Sequence, residues 1–315
     1  MKDTPQTILV IKHGALGDIL QALDGFAALR AGYPHAHIAV LTAPAFAGLM
    51  ASTPRFDEVL VDKRASLFNL AQTVHIGRIL RRGWDLIVDM QGTQRTGAYF
   101  STFVPAKTRW VGIARGCSDP LPDFGLISNS LRMRLIAEQA GGVAAEADLA
   151  WLMRHGKSAS DQLVDAARAP YAILVPGCSP THPEKRWPAD QYVQLARALA
   201  ERGVGVLVVG TPADQTAIDT ICAHCPDAIN LCGKTTLSDL AVLMQRASSV
   251  IGNDTGPMFL AAKTGTPTVV LMGPKAVPEK IAPVGKRVGW LKCDLINKVT
   301  VDAVLSEIDR LCLKG

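Results

Sequence analysis

The sequence predicts an α/β protein made of two doubly wound halves, and three observations carry that prediction. Short β-rich runs alternate with helical patterns along the whole chain, as they do in βαβ units. The runs have little polar interruption, which suits strands buried on both faces of a parallel sheet. At 315 residues the chain exceeds what one hydrophobic core usually serves, so two domains are expected.

Taken in order, the strand-like runs of the first half are TILVIK, HIAVLT, EVLVDK, DLIVDM and TRWVGI. Those of the second are YAILVPG, GVLVVG, AINLCG, SVIGND and TPTVVLMG. The stretches between them have room for crossover helices, so each half reads as an open doubly wound sheet. The pattern lapses over residues 154–170, RHGKSASDQLVDAARAP, where a linker and a short helix fit. The expected domains are therefore 1–156 and 157–315. The final segment, VTVDAVLSEIDRLCLKG, spaces its apolar residues as one face of a helix, so the second domain should close on an amphipathic helix.

Composition narrows the class. Hydrophobic residues make up 48% and charged residues 19%, enough apolar material for buried sheets and too little charge for a disordered chain. No apolar run reaches the roughly 18 to 20 residues of a membrane span, and the N-terminus passes straight into a strand-like run, so neither a span nor a signal peptide is expected. Seven scattered cysteines fit reduced thiols in the cytoplasm better than a disulfide framework. Cys222 and Cys225, with His224 between them, have ligand-like spacing, but no second pair completes a zinc site, and no metal or cofactor is expected. The net charge of +5 is uneven: residues 78–134 hold nine Lys or Arg against four acids. That surplus suits an anionic acceptor or an anionic membrane surface, or an ordinary solvated face. Nothing points to nucleic acid.

Three segments are candidates for chemistry. The first strand ends in KHGALGDILQAL, where Gly14 and Gly17 permit a tight turn and Asp18 opens the next helix. In open α/β sheets ligands bind at that carboxyl edge. Asp18 therefore has two readings, a group reached by substrate and a helix cap. His13 beside the turn is a second candidate base, with a structural role as its alternative. The glycines do not follow G-x-G-x-x-G, so a dinucleotide site has little support. In YAILVPGCSPTHPEKRWP, Lys185 on a loop at a strand end suits a phosphate-bearing ligand, and Trp187 reads as a packing anchor. In SVIGNDTGPMFLAAKTGTPTVVLMGP, Thr255, Gly256 and Pro257 stand where a helix begins, so free N–H groups and the helix dipole can hold a phosphate there. Asp254 is open between capping that helix, orienting Thr255 and meeting a donor sugar.

These segments together, with LCGKTTLSDLAVLM, resemble the lipopolysaccharide heptosyltransferases, the ninth glycosyltransferase family, over nearly the whole chain. The resemblance implies a GT-B fold of two Rossmann-like domains facing across a cleft, the first binding the acceptor and the second a nucleotide sugar. It implies Asp18 as catalytic base, and Lys185, Asp254, Thr255, Gly256 and Pro257 as donor-binding residues. It also implies an ADP-sugar donor, a lipid-linked or glycan acceptor, and work at the inner face of the inner membrane. The expected chemistry is inverting transfer, and without a D-x-D triplet it is expected to be metal-independent. Two positions depart from the family pattern: Phe259 stands where a histidine is usual, and Asp24 where a proline is usual. Phe259 keeps two alternatives open, a noncatalytic nucleotide-sugar-binding scaffold and a nucleotide-sugar epimerase or hydrolase.

Overall fold

The protein is described by a computed structural model covering residues 4–66, 68–154, 156, 170–179 and 181–313. The linker and short helix expected at 154–170 lie almost wholly outside the described residues. The chain divides into two units, Met1–Ala147 and Asp148–Gly315.

The first unit runs β1 (Thr7–Ile11), α1 (Leu16–Gly32), β2 (His37–Thr42), α2 (Ala47–Ser52), β3 (Glu58–Val61), α3 (Leu70–Leu80), β4 (Leu86–Asp89), α4 (Gln94–Phe103), β5 (Arg109–Gly112), β6 (Asp119–Pro120) and α5 (Asn129–Gln139). Its sheet has the order β3-β2-β1-β4-β5-β6, and every ladder is parallel. The central strands are apolar at almost every position because helices cover both faces. Leu9, Ile11, Ile87 and Trp110 pack with Ile76 and Leu80 of α3 on one side, while α1 packs on α5.

The second unit begins with α6 (Ala150–Met153), continues through β7 (Tyr171–Val175), α7 (Ala189–Glu201), β8 (Gly205–Val208), α8 (Gln215–His224), β9 (Ile229–Asn230) and α9 (Leu237–Arg246), and ends with β10 (Ser249–Asn253), α10 (Gly256–Thr264), β11 (Thr268–Met272), α11 (Pro278–Ile281), β12 (Val288–Lys292) and α12 (Val301–Cys312). Its sheet, β12-β11-β10-β7-β8-β9, is again wholly parallel. The division falls ahead of the lapse in sequence pattern because α6 packs on α9 of the second unit. The closing helix α12 is amphipathic as expected, burying Val304, Leu305, Ile308 and Leu311.

Each sheet carries one edge strand that the apolar runs do not announce. β6 is two residues long and contains a proline, and β12 buries only one of its five residues fully. Edge strands have one neighbour and a wetter face, which erases the continuous apolar signature.

Candidate active site

Strand order reverses between β1 and β4 in the first sheet and between β7 and β10 in the second. The crevice outside the carboxyl ends of strands at such a reversal is where open α/β sheets take ligands. Asp18 in the first unit, and Lys185, Asp254, Thr255, Gly256 and Pro257 in the second, lie at these two places.

In the first unit, β1 leads into a turn at Gly14, whose φ is +94°. A side chain there would also collide, since a Cβ would stand 2.6 Å from the ring of Phe46. The turn delivers Asp18 in the first turn of α1, where its carboxylate accepts the Ala15 N–H at 3.1 Å. Asp18 caps the helix, and it also lines a cavity of about 170 Å³ with Lys12, Gln21, Asp89, Gln91 and Arg132. Lys12 is buried, donating to the Met90 carbonyl at 3.2 Å. Burial lowers its pKa, against the pull of Asp18 and Asp89. Asp89 accepts the N–H groups of Gln91 and Gly92 at 3.0 and 2.9 Å. Burial nevertheless pushes its carboxyl above the usual range.

His13 faces elsewhere. Its Nε2 lies 3.0 Å from Asp62 Oδ2, both side chains are buried, and the ring is absent from the cavity lining. Asp62 also accepts from the Tyr99 hydroxyl at 2.5 Å, from Gln72 at 2.8 Å and from the Arg64 N–H at 2.7 Å. Burial would raise its pKa, but the bonds from His13, Tyr99 and Arg64 outweigh burial and hold the carboxyl well below the usual range. The network fixes the start of the glycine turn and gives His13 a structural task. Asp24 has one too: its carboxylate accepts the Ala147 N–H at 2.9 Å, and it does not line the cavity.

In the second unit, Lys185 ends a short 3-10 turn and its Nζ lies 2.7 Å from Asp254 Oδ2. Asp254 does not cap α10. The cap position is Thr255, without a side-chain capping bond, and Gly256 and Pro257 are the first helical residues. The pair therefore holds an ammonium beside a helix N-terminus whose first N–H groups lack intrahelical partners, an arrangement suited to a diphosphate. Neighbouring groups fix the lysine loop. Asn253, fully buried at the end of β10, accepts the Trp187 N–H at 3.0 Å and donates to the Pro176 carbonyl at 2.6 Å. The Trp187 indole donates to the Val299 carbonyl at 2.9 Å and packs edge-on against Tyr192, so it is an anchor and not a stacking platform. Arg186 turns to the Cys178 carbonyl and Asp214.

Sequence reasoning missed Lys12, Asp89, Gln91 and Arg132. For Asp89 and Gln91 a signal existed, because DLIVDMQG is a strand run with polar residues at its carboxyl end, as KHGALGD is. Arg132 comes from α5 and reaches the cavity only through packing.

A family model described as glycosyltransferase family 9 (heptosyltransferase) matches residues 131–304. The chain belongs to glycosyltransferase family 9. It is similar to lipooligosaccharide heptosyltransferase 2 of Haemophilus ducreyi, 25% identical over 89% of this chain and 86% of the relative. Among solved structures, a family 9 glycosyltransferase from Veillonella parvula superposes with a TM-score of 0.82 at 20% identity, covering 98% of each chain. An E. coli heptosyltransferase solved with ADP superposes with a TM-score of 0.78 at 18% identity, over 97% of this chain and 99% of that one. The fold is therefore GT-B, and this family 9 member is a glycosyltransferase. Phe259, one of its departures from the family pattern, lies in α10 with 8% of its surface exposed. It offers no hydrogen-bond donor there.

Proposed function

We propose that this glycosyltransferase moves a heptose or related sugar from an ADP-sugar to a lipopolysaccharide core or similar glycan, with inversion and without a metal. An acceptor hydroxyl held in the first unit's cavity gives its proton to Asp18 as its oxygen attacks the anomeric carbon. The bond from that carbon to the diphosphate oxygen breaks, and its electron pair leaves with ADP. Lys185 and the N–H groups at the start of α10 stabilise the charge growing on the diphosphate, supplying the electrostatic role that a metal has in other transferases. Asp254 holds Lys185 in place, and Thr255, Gly256 and Pro257 shape the phosphate seat, with Gly256 permitting close approach.

The observation that carries this reading is the Lys185 ammonium fixed by Asp254 at the N-terminus of α10, at the switch point of the second sheet. The donor is supported by the solved heptosyltransferase that holds ADP, and the acceptor by curated lipooligosaccharide relatives matching most of the chain. Those relatives also weigh against the scaffold and epimerase alternatives.

The test is transfer from ADP-heptose by wild type and Asp18→Asn, with ADP binding measured alongside. The variant is expected to lose roughly a hundredfold to ten-thousandfold in kcat while its ADP affinity holds. An unchanged kcat removes Asp18 as the base.

A further inference from the structure

Gln91 lines the cavity of Asp18 but has no part in the proton transfer. Its backbone and its side chain are both pinned. The backbone N–H donates to Asp89 Oδ1 at 3.0 Å, in a turn that Gly92 continues with a φ of +57°. The side-chain Oε1 accepts the His13 N–H at 2.9 Å, linking the carboxyl end of β4 to that of its neighbour β1. A backbone N–H can only donate, so it decides which end of the amide faces it and leaves Nε2 as the other end. That nitrogen makes no hydrogen bond among the described residues, and the residue is partly exposed.

An amide fixed by its oxygen presents its N–H donors in a set direction. The charged groups around it are engaged elsewhere: Asp18 accepts the Ala15 N–H, and the Lys12 ammonium is directed at the Met90 carbonyl and the Met133 sulfur, at 3.2 and 3.7 Å. A neutral donor held rigidly in the cavity of a general base suits a neutral oxygen, and on a sugar the common one is a hydroxyl. We infer that Gln91 is a specificity-determining residue for the acceptor, its Nε2 donating a hydrogen bond to a second hydroxyl of the acceptor sugar, near the one that Asp18 deprotonates. The acceptor is thereby a polyhydroxylated ring held at two points, and the second point sets which of its hydroxyls reaches the base.

This deepens the proposed function and rests on it for the presence of an acceptor sugar in the cavity. A purely structural task, holding the glycine turn through His13, is separable from recognition because it uses the opposite end of the amide. Gln91→Glu keeps an oxygen for the His13 N–H and replaces the donor by an acceptor of the same shape. Gln91→Met removes both ends.

The test takes the methyl glycoside of L-glycero-D-manno-heptose and its monodeoxy analogues, both as acceptors of transfer from ADP-heptose and, by saturation-transfer NMR in the presence of ADP, as ligands. Wild type should lose roughly tenfold in kcat/KM, and bind more weakly, when one hydroxyl other than the glycosylated one is missing. Gln91→Glu should raise the KM for the parent glycoside by about tenfold and no longer distinguish it from that analogue. Its ADP affinity and melting midpoint should stay close to those of wild type, whereas Gln91→Met should lose both the discrimination and some stability. Binding of the glycosides without transfer would overturn the proposed reaction alone, and the bound analogues would still support or overturn the role of Gln91. A wild type that binds no glycoside, or that distinguishes none of the analogues, overturns the inference. So does a Gln91→Glu variant that discriminates as wild type does, because the residue then serves only the turn at His13.

Discussion

At the residue scale, the two buried ion-paired aspartates make opposite demands. Asp62 has no exposed surface, and its charge is answered by His13, Tyr99, Gln72 and a backbone N–H. Its folded-state pKa lies below its unfolded value, so the stability it contributes is present above the unfolded pKa of about 3.9 and is lost as pH falls through the folded one. Asp62→Asn should therefore cost about 3 to 5 kcal/mol at neutral pH, and the gap from wild type should narrow as the pH drops below about 4. Denaturant unfolding at several pH values checks this, and a gap independent of pH would mean that the carboxylate charge is not what stabilises the turn. Asp254 has one cationic partner among the described residues, Lys185, whose own side chain is partly exposed. Lys185→Ala should weaken ADP binding and also destabilise the fold, because the Asp254 carboxylate loses its counter-charge. Adding Asp254→Asn to it should recover stability without recovering ADP affinity. A double-mutant cycle with coupling of about 0.5 to 3 kcal/mol is the expected signature, and additive stabilities would dissociate the pair.

At the element scale, the glycine turn between β1 and α1 sets where Asp18 stands. Gly14 and Gly83 have nearly the same φ, +94° and +90°. A Cβ at Gly83 meets nothing within 4 Å, whereas one at Gly14 strikes Phe46 and Ile19. Gly83→Ala should carry only the left-handed backbone cost of about 1 to 2 kcal/mol, and Gly14→Ala should lose about 1 to 3 kcal/mol more through overpacking. Equal losses, read from denaturant midpoints, would show that the Phe46 contact yields freely. The sequence displayed this turn and the start of α10 because glycine and proline restrict the backbone locally. It did not show that Asp254 leaves the cap to Thr255 and turns to Lys185. That pair spans 69 positions of sequence and exists only because β7 and β10 are neighbours.

At the scale of the whole molecule, two sheets of the same topology each present candidate residues at their own switch point. If the second unit holds the donor, nucleotides should stabilise the protein in proportion to their affinity. ADP at a hundred times its dissociation constant should add about 2.7 kcal/mol. A thermal-shift panel of ADP, UDP, GDP, CMP and NAD, without added metal, should give an ADP-selective shift that Lys185→Ala removes. A UDP-selective shift would keep the transferase and change the donor.

The sequence by itself determined the α/β class, two parallel sheets, the closing helix and the segments that reach the carboxyl strand ends. All of these follow from local regularities: uninterrupted apolar runs, helical spacing, and glycines or prolines at turns. Tertiary structure decided the rest, because the decisive neighbours are far apart in the chain. It paired His13 with Asp62 and gave that histidine a structural task, tied Asp24 to Ala147, and joined Lys12, Asp89 and Arg132 to Asp18 around one cavity. It also added two edge strands whose wet faces carry no apolar signature. Which polar groups meet is fixed by strand order and helix packing, and neither leaves a mark within a short window of sequence.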